Sequence, residues 1–195
     1  MNPLFPIFLK VESLTTLIVG GGNVGLEKIS SILKNSPNAK VLLVAREIHP
    51  EIKSLADKHP FVQLEERNFK LWDLWSANLI ILATNNRSTN EQILKFAKAR
   101  GLLVNVADTP ELCDFYLGSV VTKGQLKVGI STNGKSPTIA KRFREFLEEA
   151  IPEDTDQLLD NMNNIREKVK GDLQDKVKAL NEVTKGWLKK QEDQS

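Results

Sequence analysis

The sequence is poor in cysteine, histidine and tyrosine, and it has no long apolar run. Its single cysteine, Cys113, excludes an internal disulfide and a zinc site built from several cysteines, which is typical of a reducing compartment. The two histidines form no cluster with metal-ligand spacing, so no metal site is predicted. No apolar run approaches the roughly 18 residues of a membrane span, and residues 1–10 lack the pattern of a secretion signal. These absences predict a cytoplasmic protein with no membrane partner.

An excess of charge of one sign is also missing. The 195 residues include 27 Lys and Arg against 25 Asp and Glu, which gives a formal net charge of +2. This charge is too small to predict a nucleic-acid partner. The length suits one α/β core with an appendage rather than two full enzyme domains.

Apolar, β-branched runs alternate with segments of helical period over the first half of the chain. Strands are predicted at residues 15–19, 40–45, 61–65, 79–83 and 102–106. Helices are predicted after the first strand, over residues 51–59, and from a Ser88 cap to Arg100. This alternation predicts an α/β fold, a Rossmann-type doubly wound parallel sheet with helices on both faces.

The pattern changes after Pro110. Residues 119–123 and 127–131 predict a β-hairpin, and Ser136 followed by proline predicts the start of a helix. Two amphipathic helices follow, with apolar residues spaced helically from Leu158 to Trp187. We therefore predict a dinucleotide-binding domain over residues 1–112, a dimerisation subdomain over 113–150 and a helical region over 151–195. The apolar stripes are covered either by a second copy of the chain or by the same domain.

A glycine-rich loop follows the first predicted strand and opens a helix. It consists of Gly20, Gly21, Gly22, Asn23, Val24 and Gly25. In this context glycines allow a tight turn and close backbone approach to a pyrophosphate, which the helix N-terminus then faces. The loop predicts that a dinucleotide binds.

The end of the second strand leaves the choice of dinucleotide open. An acidic residue is expected there to bind the adenosine ribose, but the sequence continues as Ala45, Arg46 and Glu47. Arg46 either accepts the 2′-phosphate of NADP or faces solvent.

Polar residues also follow the fourth and fifth strands, at the sheet edge where such folds bind ligands. Thr84, Asn85 and Asn86 either contact the nicotinamide or its ribose, or only shape the turn. Asp108 either accepts a proton from a substrate or starts a turn before Pro110.

A second candidate site joins the hairpin to the next helix and is a candidate anion-binding turn. Its residues are Ser131, Thr132, Asn133, Gly134, Lys135 and Ser136. Lys141, Arg142 and Arg144 follow within two helical turns, and they either meet an acidic substrate or form a solvated helix face.

Taken together, these motifs resemble those of the precorrin-2 dehydrogenase/sirohydrochlorin ferrochelatase family, the siroheme-forming proteins. The resemblance rests on Leu4-Phe5-Pro6-Ile7-Phe8, on Val19 through Gly25 with Lys28, on Ala83-Thr84-Asn85-Asn86 with Asn90, and on Asn105-Val106-Ala107-Asp108 followed by residues 131–137 and Arg142.

The resemblance implies an oxidoreductase that transfers hydride from precorrin-2 to NAD and yields sirohydrochlorin in siroheme biosynthesis, with Asp108 as the general base. It implies that residues 131–136 and Arg142 bind the carboxylates of this tetrapyrrole, and that the protein is a homodimer. Some family members also act as lyases that insert Fe²⁺, a substrate, into the product. The alternative function is a non-catalytic NAD(P)-sensing regulatory module.

Overall fold

The structure, a computed structural model, describes residues 2–169 and 172–184. The chain divides into two compact units. One consists of Met1–Ser119 and Gly129–Ala140, and the other consists of Val120–Val128 and the described part of Lys141–Ser195. The domain boundaries expected from the sequence stay a prediction.

A five-stranded parallel sheet forms the centre of the first unit. Its strands are β1 (Thr15–Val19), β2 (Lys40–Ala45), β3 (Val62–Glu66), β4 (Leu79–Leu82) and β5 (Leu103–Val106). Their order is β3-β2-β1-β4-β5, and the register pairs Val19 with Val44 on one side and with Leu82 on the other. The order reverses between β1 and β4, so a crevice opens at the carboxyl ends of these two strands. The doubly wound fold predicted from the sequence is confirmed.

Helices α1 (Asn23–Asn35), α2 (Pro50–Ala56) and α3 (Arg87–Ala99) connect the strands. Two predicted helix boundaries are wrong by two residues or more, and the strand boundaries agree to within one residue. Helix α2 ends at Ala56 rather than at residue 59, because the N–H groups of Lys58 and His59 bond to carbonyls three residues back rather than four. The N-cap of α3 is Asn86 rather than Ser88, since Asn86 Oδ1 accepts a hydrogen bond from Thr89 N at 2.9 Å.

Alternation along the buried strands gives the sheet an apolar core on each face. In β1, Leu17 and Val19 face the cluster that contains Ile93 and Ala97 of α3. Ile18 faces the opposite cluster, which includes Ile29 of α1. Helices therefore cover both faces, as expected for parallel strands buried on both sides.

The remaining chain begins with the predicted hairpin, whose strands are β6 (Ser119–Lys123) and β7 (Leu126–Ile130). Helix α4 (Pro137–Ala150) follows, and Ser136 Oγ accepts a hydrogen bond from Ile139 N at 3.2 Å, as the predicted cap requires. Helices α5 (Thr155–Lys168) and α6 (Leu173–Thr184) contact each other. Trp187, the last residue of the predicted stripe, lies outside the described residues. No helix in the described part of the chain is long and apolar enough to cross a membrane.

Candidate active site

The glycine loop between β1 and α1 packs closely against the rest of the first unit. Gly20 has a φ of +118°, and a Cβ on it would overlap the carbonyl of Ala83 at the end of β4. A Cβ on Gly21 would lie 2.5 Å from Glu47 O, and one on Gly25 would lie 3.1 Å from Gly20 C. These three glycines are therefore required by the packing of the loop itself.

Gly22 has a different environment. It is the N-cap of α1 with a φ of −85°, and, apart from its chain neighbours, no described residue has an atom within 4 Å of the position that its Cβ would occupy. Gly22 offers no side chain that could accept a hydrogen bond from the first N–H groups of the helix. The loop thus combines free backbone donors with open space, which fits the pyrophosphate of a dinucleotide.

The end of β2 carries two exposed charges of opposite sign beside this loop. His49 N donates to Gly21 O at 2.8 Å, which holds the segment after β2 against the loop. Neither Arg46 nor Glu47 forms an ion pair with another described residue. Glu66 at the end of β3 is engaged instead, because Lys53 and Ile48 N donate to its carboxylate. The hydrogen bond from Lys53 lowers the pKa of Glu66 and keeps that carboxylate charged.

The turn after β4 contains the predicted amide residues. The Thr84 hydroxyl is hydrogen-bonded inside the turn, and Asn86 caps α3. Asn85 is exposed, and its amide bonds to no other described residue. Thr84 and Asn86 therefore shape the turn, and the exposed side chain of Asn85 is available for a ligand. Contact of this segment with the nicotinamide or its ribose stays a prediction.

Asp108 follows β5 at the same edge of the sheet. The ladder continues to Ala107, whose N–H donates to Leu82 O at 2.9 Å, and Asp108 then adopts a φ of +58°. This left-handed conformation is uncommon for a residue with a side chain, although Asp tolerates it better than most. The Asp108 side chain is exposed and bonds to none of the residues that the structure describes. Its carboxylate is therefore free to accept a proton from a ligand.

Cys113 lies beside this turn as a half-buried packing residue. Its Sγ lies within hydrogen-bond distance of Val106 N and Val106 O, each at 3.2 Å, and packs against the apolar core. Burial raises the pKa of the thiol, which favours the neutral form.

The turn formed by residues 131–136 uses its hydroxyl groups internally. Ser131 Oγ accepts from Asn133 N at 3.2 Å, and Thr132 Oγ1 accepts from Ser136 N at 3.2 Å. Asn133 has a φ of +55° and Gly134 a φ of +74°. The hydroxyls therefore shape this turn, and Lys135 is the exposed side chain that carries its charge.

Arg142 belongs to the second unit, where it forms an ion pair on the surface of α4. Its guanidinium lies 2.8 Å from Glu145, and Arg144 lies 2.6 Å from Glu148. The Arg142 pair is exposed, and exposed pairs contribute only about 0–1 kcal/mol and exchange readily for other partners. Arg142 is exposed and stays a prediction as a substrate contact. Among the described residues, no group of three or more His, Cys, Asp or Glu could hold a metal ion.

Sequence reasoning gave no role to Asn90, a buried residue of α3 that contacts the turn after β4. A signal was present, because Asn90 occupies a position of the apolar helical stripe that continues with Ile93 and Ala97.

Comparison with known families agrees with this geometry. Residues 7–119 match the family model described as "Putative NAD(P)-binding". The chain belongs to this NAD(P)-binding family. Residues 123–150 match a second model, described as "Sirohaem biosynthesis protein central". The succession of the two models confirms the resemblance of this NAD(P)-binding protein to the siroheme-forming family.

Individual relatives carry the same description. The chain is 38% identical over 148 residues to the siroheme synthase of Nitrosococcus oceani. This alignment covers 76% of this chain and 31% of that protein. It is 35% identical over 165 residues to the siroheme synthase of Methylococcus capsulatus. That alignment covers 85% of this chain and 34% of the relative. The chain thus spans about a third of the length of these relatives.

Among solved structures, the fold is similar to that of "SirC, precorrin-2 dehydrogenase". The TM-score is 0.72 at 24% identity, and the match covers 92% of this chain and 89% of that one.

Proposed function

We propose that this NAD(P)-binding protein oxidises precorrin-2 to sirohydrochlorin with NAD. The observation that carries the proposal is the carboxylate of Asp108, which bonds to no described residue and is held at positive φ at the same sheet edge as the glycine loop. The siroheme synthases and the precorrin-2 dehydrogenase to which the chain is similar support the choice of substrate.

The oxidation removes a hydride and a proton from the tetrapyrrole. Bound NAD supplies the hydride acceptor. A carboxylate oxygen of Asp108 accepts the proton, since this side chain is exposed and bonds to no described residue. The free N–H groups after Gly22 bind the pyrophosphate, and the amide of Asn85 contacts the nicotinamide half of the dinucleotide.

The substrate is rich in carboxylates, which exposed cationic side chains of the protein can bind. We propose that Lys135, in the first unit, binds these carboxylates through charge-assisted hydrogen bonds and so helps to orient the macrocycle. As a separate proposal, Arg142 of the second unit binds a carboxylate of the substrate. The internal hydrogen bonds of Thr132 and Ser136 fix the turn that carries Lys135, so little backbone entropy is lost there on binding.

The test is the absorption spectrum of sirohydrochlorin after precorrin-2 and NAD are added to the purified protein. We expect Asp108→Asn to lower kcat by about 10²- to 10⁴-fold, the usual contribution of a general base. Glu111→Gln is the matched control, because it removes one exposed negative charge from the same segment. An Asp108→Asn variant with full activity would contradict the assignment of the base.

Two further outcomes separate related functions. Binding of NAD without any affinity for sirohydrochlorin would replace the proposal with the NAD(P)-sensing module. Addition of Fe²⁺ to the oxidised product tests whether the protein also inserts the metal, in which case siroheme appears in the spectrum.

We also propose that the protein is a homodimer and that α4 lies in the interface. Ile139, Phe143 and Phe146 are 51%, 55% and 63% exposed along one face of this helix. Large exposed apolar side chains at helical spacing are typical of a surface that another chain covers.

We place this homodimer in the cytoplasm. The single cysteine excludes an internal disulfide, so the fold does not depend on an oxidising compartment.

A further inference from the structure

Asn90 is an amide residue buried in the first part of α3. It is 8% exposed and shares the buried face of the helix with Ile93 and Ala97. A buried amide is tolerated only where its hydrogen bonds are satisfied, because unpaired polar groups are costly inside a protein. The partners of Asn90 therefore indicate what the residue does.

Within the part of the chain that the structure describes, the side-chain amide bonds to Thr84 alone, in the turn after β4. Thr84 Oγ1 donates to Asn90 Oδ1 at 2.6 Å, and Asn90 Nδ2 donates to Thr84 O at 3.0 Å. Asn86 N donates in turn to Thr84 Oγ1 at 3.2 Å, and Asn90 N donates to Asn86 O at 3.0 Å. These bonds tie the first turn of α3 to the end of the strand.

This network determines which side chain of the turn is left for a ligand. Thr84 and Asn86 are engaged inside it, whereas Asn85 between them is exposed and bonds to no described residue. The turn also lies directly against the glycine loop, because a Cβ on Gly20 would be 2.6 Å from Ala83 C and 3.0 Å from Thr84 N. The position of Asn85 relative to the loop thus depends on the bonds between Thr84 and Asn90.

We propose that Asn90 is a positioning residue of the dinucleotide site. Its two hydrogen bonds with Thr84 hold the turn in the conformation that presents Asn85 to the nicotinamide or its ribose. Asn90 itself is buried and acts through Asn85. This inference rests only on the NAD-binding part of the proposed function and is independent of the tetrapyrrole.

The first test is calorimetric titration with NAD. We expect Asn90→Ala to weaken NAD binding by about two- to tenfold, the factor that corresponds to the loss of one net hydrogen bond. Ile93→Ala is the matched control, since Ile93 is buried on the same helix and its apolar side chain cannot form a hydrogen bond with the turn. It should lower Tm at least as much as Asn90→Ala and leave the affinity for NAD unchanged.

A double-mutant cycle separates positioning from general destabilisation. If Asn90 acts through Asn85, Asn90→Ala should change the affinity less than twofold in an Asn85→Ala background. Independent effects of the two substitutions would multiply instead, and this outcome would overturn the proposal. Equal loss of NAD affinity in Asn90→Ala and Ile93→Ala would also overturn it.

Thr84→Val provides a second route to the same test if Asn90→Ala does not fold. The substitution keeps the side-chain shape but removes the hydroxyl that bonds to Asn90 and accepts from Asn86 N. It should weaken NAD binding to a similar extent and show the same coupling to Asn85. A protein that shows this coupling but does not oxidise precorrin-2 would refute the proposed function and leave the inference intact.

Discussion

Replacing Gly22 by alanine tests whether the glycine loop serves the fold or the ligand at this position. The φ of −85° is allowed for alanine, and among the described residues only chain neighbours lie within 4 Å of the new Cβ. We therefore expect the substitution to leave the protein folded and to weaken the binding of NAD.

The magnitude follows from terms of opposite sign. Loss of backbone freedom in the unfolded chain stabilises a Gly→Ala variant by about 0.4–1 kcal/mol. Alanine is a poorer N-cap than glycine, which costs roughly the same amount. The free energy of unfolding should thus change by less than about 0.5 kcal/mol. In the complex, the methyl group of Gly22→Ala would occupy the space beside the pyrophosphate. Overpacking of this kind costs about 1–3 kcal/mol, which corresponds to a Kd for NAD that is roughly 5- to 150-fold higher.

Urea unfolding and calorimetric titration with NAD measure the two effects separately. Gly20→Ala is the contrasting variant, because its φ of +118° and its overlap with Ala83 should destabilise the protein before any ligand is added. A Gly22→Ala variant that binds NAD as tightly as the parent protein would show that the open space beside Gly22 is not the pyrophosphate site.

Stability, assembly and thiol reactivity provide three further tests. Asp73 is buried, which disfavours its charged form, but hydrogen bonds from Arg67 and Lys70 N outweigh burial and lower its pKa below 3.8. Its charge therefore stabilises the fold above about pH 4, and this contribution is lost as the pH falls through the folded-state pKa. Asp73→Asn should lower the free energy of unfolding at pH 7 by about 1–3 kcal/mol in urea titrations. The free energy of unfolding of the variant should also fall less steeply below pH 4, and an unchanged pH dependence there would refute this. Phe143→Glu should convert the proposed homodimer to a monomer in light scattering, and an unchanged mass would remove α4 from the proposed interface. Because burial raises the pKa of Cys113, its thiol should react slowly with a disulfide reagent at pH 8 until urea unfolds the protein, and rapid native reaction would contradict this.

Much of the fold was predictable because it depends on neighbours in the chain. Strand preference is local in the apolar runs of β1 and β4, and turn preference is local in the glycines between β1 and α1. The folded protein keeps both preferences. The boundaries were less certain where two residues competed for one role. Asn86 and Ser88 are both good N-caps, and the choice depends on Thr84, which binds the backbone of Asn86.

The candidate site was likewise predictable in part from the sequence and in part only from the tertiary structure. From the sequence alone, the glycine loop predicts a bound dinucleotide, and the position of Asp108 after β5 places it at the ligand edge. Only the tertiary structure distinguishes Gly22, which faces open space, from Gly20, which packs against Ala83. The sequence shows several glycines in this loop, but it does not show which of them packs against a neighbouring strand in the fold.

The roles of the predicted residues in the turn after β4 depended most on the tertiary structure. Sequence places Thr84, Asn85 and Asn86 in one turn, and each could bind a ligand or shape the backbone. The fold decides between these roles, because it brings Asn90 within 3.0 Å of Thr84 and leaves Asn85 exposed. The sequence determined which chemical groups reach the sheet edge, and the tertiary structure decided which of them are free, since a hydrogen bond already made inside the protein is not available to a ligand.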